Sequence, residues 1–258
     1  GSNGGAIYGG GGALTVDESS FDGNISGNNG GAIYTTVATT ITNSEFVNNV
    51  ASGDGGAIYT TGRTLTLNAD NGETIISGNS AGGYDNGIYI SNNRGVINLN
   101  AINGGTLTLA DSISSGQKYT LNISGDSTSH INLLNPHLAS ESSTWSDKGV
   151  DVSVTGSPNI SFENGQIDTY SVKTWSSSSN ARYSIDVDLA THQSDQISTG
   201  TGGSRTDVVT IDHINFLNVN DSQEEFTITV LGGKLGSTRL QLDEALIGET
   251  ERVIGSTD

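Results

Sequence analysis

A five-residue string recurs in the first third of the chain and limits the folds that are open to it. Gly-Gly-Ala-Ile-Tyr occupies Gly4–Tyr8, Gly30–Tyr34 and Gly55–Tyr59, and a degenerate copy, Asp85–Tyr89, lies in the same frame. Copies only 26 and 25 residues apart cannot each bury an apolar face, so successive copies must stack on one another. The repeat therefore predicts a solenoid.

A second, linked pattern indicates which kind of solenoid. An apolar residue followed three positions later by asparagine precedes the last three copies, at Phe21/Asn24, Phe46/Asn49 and Ile76/Asn79. The interval from this apolar residue to the tyrosine is always 13 residues, whereas the remaining segment varies in length. Constant blocks joined by variable loops are typical of short strands held in register. We therefore predict an all-β fold, a right-handed parallel β-helix with strands about 4.8 Å apart.

This geometry assigns a role to each repeated residue. We expect Phe21, Phe46 and Ile76 to form an inward apolar ladder. The asparagines are expected at a corner, in the left-handed conformation that Asn tolerates, bonded to neighbouring coils. The glycine pairs would allow a second sharp bend without a Cβ clash.

The isoleucine and tyrosine of each copy alternate, so we expect the isoleucine to point inward and the tyrosine outward. The predicted outer column comprises Tyr8, Tyr34, Tyr59 and Tyr89. Three interpretations stay open: the rings cover the sheet, they contact a ligand, or they point inward with alanine outside. The column is a candidate ligand-binding site.

Short alternating segments continue after Tyr89, among them 208–211 and 216–219, and they are separated by Gly, Asn, Asp and Ser, as strands bounded by turns should be. We predict one elongated β-helical fragment over residues 1–258, with regular repeats in 1–90, irregular coils in 91–258 and an insertion near 136–148. The best helix candidate, Leu240–Leu246, is short.

Charge and composition exclude several kinds of partner and chemistry. Against 28 Asp and Glu there are only 10 Lys and Arg, a net charge of −18, which argues against nucleic acid or an anionic membrane. A heparin-like polyanion would need a local basic patch. The absence of cysteine excludes disulfides, thiol chemistry and Cys-based zinc sites. The four histidines are scattered, and we expect no metal site and no cofactor.

Parallel β-helices also include polysaccharide lyases and hydrolases, so we consider whether the carboxylates could form a catalytic or calcium-binding site. Asp186 and Asp188 share a strand face, with His192 and Asp195 just beyond; Asp212 with His213 is a second set. Two carboxylates facing a cleft could hydrolyse glycosides, and carboxylate oxygens could bind calcium. An acidic strand face on so anionic a chain is usually solvated surface, so we assign no catalytic residue.

Two tryptophans lie in Ser-rich segments without alternating apolar neighbours. Trp145 and Trp175 are therefore expected to be exposed, either packed beneath a protruding loop or in contact with a ligand. Aromatic rings stack on sugars and anchor interfaces. Both tryptophans join the tyrosines as candidate ligand-binding residues.

Gly-Gly-Ala-Ile paired with Phe-x-x-Asn resembles the repeat of chlamydial polymorphic outer-membrane proteins and related autotransporter adhesins. The matching positions are Gly4–Ile7, Gly30–Ile33 and Gly55–Ile58, with Phe21/Asn24 and Phe46/Asn49. The segment 183–189, followed by 195–197, is similar to later coils of autotransporter passengers. The chain departs from the chlamydial pattern in lacking cysteine.

The resemblance implies an extracellular, non-catalytic adhesin at the bacterial cell surface, anchored in the outer membrane through a C-terminal barrel outside this chain, or secreted. Expected partners are a host extracellular-matrix protein, a glycan or a passenger on a neighbouring cell, which the rod would contact through its loops and a polar ladder of Asn, Thr and Ser. The alternative is a β-helical polysaccharide-degrading enzyme, a lyase or a hydrolase.

Overall fold

The computed structural model describes residues 2–138, 149–200, 208–219, 229–233 and 239–242. Trp145 and most of the predicted insertion near 136–148 lie outside the described residues. Within these ranges the chain forms strands and no helix, which agrees with the predicted all-β class. No helix in the described part of the chain is long and apolar enough to cross a membrane.

The strands are short and follow one another closely. In chain order they are β1 (Ile7–Gly9), β2 (Leu14–Asp17), β3 (Ser20–Asp22), β4 (Ile25–Ser26), β5 (Ile33–Thr35), β6 (Thr39–Thr42), β7 (Glu45–Val47), β8 (Val50–Ala51), β9 (Ile58–Thr60), β10 (Thr64–Asp70), β11 (Glu73–Ser77), β12 (Ser80–Ala81), β13 (Tyr84–Asp85), β14 (Ile88–Ile90), β15 (Gly95–Ile102), β16 (Thr106–Leu109), β17 (Ile113–Ser114), β18 (Tyr119–Gly125), β19 (His130–Leu133), β20 (Val150–Gly156), β21 (Asn159–Ser161), β22 (Thr169–Val172), β23 (Thr174–Ser177), β24 (Arg182–Asp188), β25 (Gln193–Ser194), β26 (Gln196–Thr199), β27 (Val208–Leu217), β28 (Leu231–Gly233) and β29 (Arg239–Leu242).

These strands stack into parallel sheets that run along a solenoid. Sheet A is β1-β5-β9-β14-β17, sheet B is β2-β6-β10-β15-β18-β20-β23, sheet D is β4-β8-β12-β13 and sheet E is β22-β26-β28. Sheet C runs from β3 through β7, β11, β16, β19, β21, β24 and β27 to β29, with β25 added beside β24. Sheet B receives one strand from each of seven successive coils, so the predicted parallel β-solenoid is confirmed.

The repeated residues meet across adjacent coils as predicted. Phe46 is in register with Phe21 on one side and with Ile76 on the other. The rings of Phe21 and Phe46 are nearly parallel, with their centroids 4.6 Å apart. Because each ladder residue packs on its counterpart in the next coil, the repeat forms a continuous interior that no single copy could form alone.

The interior is filled by the inward residues of sheets A, B and C. In sheet B, for example, Leu65, Ile97, Leu121 and Val152 lie in one column, and all four are buried. The period-two alternation of a strand places their polar neighbours outside. One face of sheet B therefore holds the core and the other carries a polar surface.

The glycine corner is formed as the sequence indicates. Gly4, Gly30 and Gly55 have φ values of 67°, 69° and 68°, in the left-handed region that favours glycine. Gly31, which follows, lies so close to the next coil that an added Cβ would stand 1.9 Å from the carbonyl oxygen of Gly56. Both positions of the glycine pair are therefore required, for different reasons.

The asparagine corner differs in one detail from the prediction. The left-handed residue is the one before each ladder asparagine: Gly23 at φ 64°, Asn48 at 57° and Gly78 at 69°. Asn24, Asn49 and Asn79 are not in the left-handed region, so that part of the prediction is wrong. The turn is made one residue earlier, which directs the amide of the asparagine along the solenoid.

The fourth coil lacks one side of the solenoid. Twelve positions separate Ile76 from Ile88 in the third coil, but only four separate the corresponding Leu109 and Ile113. Sheet D consequently ends, and β13 pairs antiparallel with β12 to close its edge through the turn at Gly82 and Gly83, both at positive φ. The edge of β12 is therefore already paired and is not available to another strand.

One prediction about the later segments is wrong, and the short helix candidate begins as a strand. Residues 208–211 and 216–219 do not form separate strands, because β27 runs from Val208 to Leu217 with a bulge opposite Tyr183 and Ser184. The helix candidate Leu240–Leu246 begins with the strand Arg239–Leu242, and the rest of it lies outside the described residues. Pairing with β27 therefore overrides a short helical preference.

Candidate functional site

The four repeat tyrosines form a stacked column on the outside of sheet A. The centroids of Tyr8 and Tyr34, Tyr34 and Tyr59, and Tyr59 and Tyr89 are 5.2, 5.1 and 5.2 Å apart. The angles between successive ring planes are 11°, 5° and 4°. Ile33, Ile58 and Ile88 beside them are buried, so isoleucine points inward and tyrosine outward, as predicted.

Stacking decides which part of each ring a ligand could reach. Tyr34 and Tyr59 have a neighbouring ring on both faces, so they present ring edges and hydroxyl groups to solvent. Tyr8, which stacks on Tyr34 alone among the described residues, is 64% exposed. Partial burial, together with the neighbouring phenols of Tyr59 and Tyr8, raises the pKa of Tyr34. Tyr34 therefore stays uncharged at neutral pH, and the column offers hydroxyl groups about one coil apart.

The asparagine ladder is a directional chain of hydrogen bonds through the corner. The backbone N and the Nδ2 of Asn24 donate to the Oδ1 of Asn49, at 2.9 and 2.8 Å. Asn49 donates in the same way to Asn79, at 2.9 and 2.8 Å. Each amide carbonyl thus accepts two hydrogen bonds from the preceding coil, and Asn49 and Asn79 are buried. The ladder stabilises the stack.

A carboxylate ends this ladder where sheet D stops. The backbone N and the Nδ2 of Asn79 donate to the Oδ2 of Asp111, at 2.9 and 2.6 Å, while the backbone N of Gly78 donates to its Oδ1 at 2.7 Å. Hydrogen bonds to a charged acceptor are the stronger kind. Sequence reasoning missed Asp111 because the asparagine spacing is lost in the shortened fourth coil. The sequence does contain a sign of this role: Leu109 is in register with Ile76, and the acid Asp111 follows Leu109 two positions later.

The outer face of sheet B carries the polar ladder expected from the sequence. Asn98 donates to Thr66 at 3.1 Å, and Asn122 donates to Asn98 at 2.9 Å. A parallel column links Asn100 to Asn68 at 2.9 Å. The first column continues through uncharged residues in every coil of the sheet: Thr15, Thr40, Thr66, Asn98, Asn122, Ser153 and Ser176. These groups form a regular uncharged column along the outer face of sheet B.

The acidic residues singled out as a candidate catalytic or calcium set are not solvated surface. Asp186 is buried: its Oδ2 accepts from the backbone N of Asn164 at 2.9 Å and of Gly165 at 2.8 Å, and its Oδ1 accepts from Asn215. Both oxygens are thus occupied by N–H donors. The carboxylate joins three coils and presents no free oxygen to a substrate or cation.

Asp195 is a second buried carboxylate that accepts hydrogen bonds from backbone N–H groups, one of them that of Asp186. It is buried, and its two oxygens accept from the backbone N of Asp168 at 2.9 Å and of Asp186 at 2.8 Å. Burial, with the nearby carboxylates of Asp186 and Asp168, raises the pKa of Asp195 to about 7, although the two backbone hydrogen bonds oppose that shift. The expected solvated face is in fact a buried structural corner.

The remaining members of that set lie apart from it. The carboxylate of Asp188 accepts from the backbone N of Ala190 at 2.8 Å, within the turn that leads to His192. His213 contacts Glu163, and Asp212 lies at the bulge in β27. The described residues contain no group of three or more His, Cys, Asp or Glu arranged to hold a metal ion.

Trp175 is not exposed, which overturns the expectation for that residue. It lies in β23, in register with Val152, and is only 3% exposed. Its indole N–H donates to the hydroxyl of Tyr183 at 3.2 Å, and its ring contacts Phe162 edge-on. Trp175 fills the core of the later coils, where bulky rings replace the aliphatic ladder, and it cannot contact a ligand from there.

The fold and its ladders define a class of protein: a parallel β-solenoid with repeat-encoded columns inside and outside. Residues 18–36 and 43–61 match the model of the Chlamydia polymorphic membrane protein repeat. Each matched segment contains one apolar–asparagine pair and one Gly-Gly-Ala-Ile-Tyr string, so the chain carries tandem copies of this repeat, as the sequence resemblance indicates. No curated protein and no solved structure matches the chain.

Proposed function

We propose that the chain is an extracellular, non-catalytic adhesin, the passenger of a bacterial autotransporter at the cell surface or secreted. Its partner would be a host matrix protein, a glycan or a passenger on a neighbouring cell. The observation that carries the proposal is the combination of the membrane-protein repeat with an ordered outer surface, made of the tyrosine column and the polar face of sheet B.

The physical basis is preorganisation. Stacked rings and hydrogen-bonded amides have already lost their rotamer freedom, so contact with a partner orders little that is new. Each hydrogen bond to a hydroxyl or amide is weak, but contacts repeated in successive coils act together. The uncharged column on sheet B also avoids the repulsion that a net charge of −18 would impose on an acidic partner.

A matched pair of variants tests the tyrosine column. Tyr34→Ser with Tyr59→Ser removes the middle of the column, whereas Tyr84→Ser removes a tyrosine that is 79% exposed but lies outside it. On a glycan and matrix-protein array, we expect the double variant to lose binding and Tyr84→Ser to keep it, with the β-rich circular dichroism of both unchanged. Equal binding by all three proteins would remove the column from the adhesive surface.

The enzymatic alternative is tested on the same preparation. An adhesin binds to saturation and releases no product, whereas a lyase or hydrolase would shorten pectin-like, chitin-like or glycosaminoglycan chains. The occupied oxygens of Asp186 support the adhesin. Depolymerisation that survives Asp186→Asn and Asp195→Asn would point to catalysis elsewhere in the chain and overturn the proposal.

A further inference from the structure

A line of basic residues runs along the solenoid at the start of sheet B. Arg63, Arg94, Lys118 and Lys173 each come directly before a strand of that sheet, in different coils. They are four of only 10 Lys and Arg in the whole chain. We name this line of four residues the basic corner.

Arg94 and Lys118 are in register in adjacent coils, and Arg63 lies in the coil before them, one residue out of register. Lys173 lies two coils beyond Lys118. The backbone N of Arg94 donates to the carbonyl of Lys118 at 2.9 Å, and Val96, two residues after Arg94, donates to the carbonyl of Arg63 at 2.8 Å. In the later coils the backbone N of Lys173 donates to the carbonyl of Val150 at 2.9 Å. Four steps of about 4.8 Å separate the first coil of this line from the last, so the cations span about 19 Å.

The charge of the basic corner is only partly neutralised. Asp151 is in contact with Lys118 at 2.7 Å and lies 4.0 Å from Lys173. Arg63 and Arg94 are exposed, and the side chains of Lys118 and Lys173 are 36% and 24% exposed. Asp151 therefore contacts two of the four cations, and the exposed Arg63 and Arg94 leave their part of the corner positively charged on a strongly acidic protein.

Apart from Asp151, the acidic residues of the sheet B strands lie at the opposite side of the sheet. Asp70 ends the strand that Arg63 precedes, and Asp17 ends a strand at the same edge. Seven residues of extended chain span about 23 Å, whereas charges are screened within about 8 Å at physiological salt. The corner segments 10–13, 36–38, 61–62, 91–93 and 115–117 contain no acid. An anion beside Arg63 and Arg94 therefore lies well beyond the screening length from Asp17 and Asp70.

We infer that the basic corner binds a linear sulfated glycan lying along the solenoid. A single file of cations fits one extended polyanion, and arginine presents paired N–H donors to such oxyanions. The polar face of sheet B begins beside the corner, so its hydroxyl and amide groups would meet sugar hydroxyls. Duplex DNA is disfavoured because protein–DNA interfaces are strongly positive over a wide area, and here the positive charge is limited to one line.

This inference rests on the proposed function, since it names the class of partner for the adhesin. The test measures binding of a heparin dodecasaccharide, unsulfated hyaluronan and a 20-base-pair DNA duplex to the whole chain at low and physiological salt. Arg63→Gln and Arg182→Gln form a matched pair: each removes one positive charge, but Arg182 lies in sheet C. In the double variant, Arg94→Asn removes a second positive charge without backbone strain, because Arg94 has φ 66° and Asn tolerates that region.

We expect heparin to bind more tightly than hyaluronan or DNA, with an affinity that falls as salt rises. Arg63→Gln should weaken heparin binding about fivefold, and the double variant with Arg94→Asn further, whereas Arg182→Gln changes it less than about twofold. Equal losses for Arg63→Gln and Arg182→Gln would show that net charge alone matters and would overturn the inference. DNA binding as tight as heparin binding would overturn the assignment to a glycan.

The two proposals fail in distinguishable ways. A chain that binds matrix proteins or cells but not heparin would keep the adhesin function and lose the basic corner as its site. A chain that binds heparin through Arg63 yet attaches to no matrix protein or cell would keep the inferred glycan site and overturn the adhesin function.

Discussion

The Nδ2 of Asn79 donates a 2.6 Å hydrogen bond to the Oδ2 of Asp111, and this contact ends a chain of amides that begins at Asn24. Asp111 accepts two N–H groups from Asn79 and one from Gly78. An asparagine at this place could accept with one oxygen only. The carboxylate is therefore the residue type that can satisfy these three donors at the end of the ladder.

Asp111→Ala should lower the free energy of unfolding by roughly 3 kcal/mol, because three buried or half-buried N–H groups lose their acceptor. Asp111→Asn keeps one acceptor oxygen and should cost less. Urea denaturation of the two variants checks the order. Equal losses for Ala and Asn would show that space filling, not acceptance by the carboxylate, explains the role of Asp111.

Asn49→Ala should destabilise the chain by roughly 3 kcal/mol, since Asn24 loses its acceptor and buried backbone groups are left unpaired. Asn98→Ala makes the same chemical change on the outer face of sheet B, where water can replace the lost partners. We expect that control to cost less than about 1 kcal/mol. Thermal and urea denaturation compare them, and a larger loss for Asn98→Ala would contradict the prediction.

Gly31→Ala should destabilise the chain by more than about 3 kcal/mol, or prevent folding, because its Cβ would stand 1.9 Å from the carbonyl oxygen of Gly56. Gly11→Ala is the matched control, since an added Cβ there meets nothing within 4 Å. It should change stability by less than about 1 kcal/mol. Similar circular dichroism melting curves for both variants would show that adjacent coils can separate at the glycine corner.

Asp195 should make stability depend on pH in an unusual direction. Its pKa is about 7 in the folded chain against an ordinary value of 3.8, so the folded state holds the proton more tightly than the unfolded state. Its contribution to stability is therefore greatest below pH 4 and is lost as pH rises towards 7. Asp195→Asn removes this titration. The free energy of unfolding of the wild type relative to that variant should fall between pH 4 and 7.

The same measurement has an outcome that would contradict this prediction. If the relative stability of the wild type rises with pH, the hydrogen bonds from Asp168 and Asp186 to the charged carboxylate outweigh the effect of burial. Comparing the wild type with Asp195→Asn at each pH cancels the titration of the other carboxylates.

The first three coils could be predicted from the sequence because each residue there meets its own counterpart. Phe46 lies between Phe21 and Ile76, and Tyr59 between Tyr34 and Tyr89, so a pattern repeated along the chain becomes a contact in space. No further information was needed to place the ladders and the column.

The later coils could not be predicted in this way, because their contacts join unlike residues. Trp175 stands in register with Val152, and its Ser-rich neighbours gave no sign of burial. Asp186 lies on the polar side of its strand, yet it is buried by a corner that Asn164 and Gly165 form 22 and 21 residues earlier. Alternation within a strand predicts on which face of the sheet a side chain lies, but not which residues of other coils cover that face.

The loss of sheet D after the third coil bears on how a repetitive chain finds one alignment. Interchangeable copies can pair one coil out of step, and the mismatched stack would bury nearly the same apolar surface. Asn79 is in contact with a carboxylate where Asn24 and Asn49 meet an amide, and β12 is paired with a reversed strand instead of a fourth copy. A slipped arrangement would lose these unique contacts. The irregular fourth coil therefore favours a single alignment of the repeated coils over arrangements shifted by one coil.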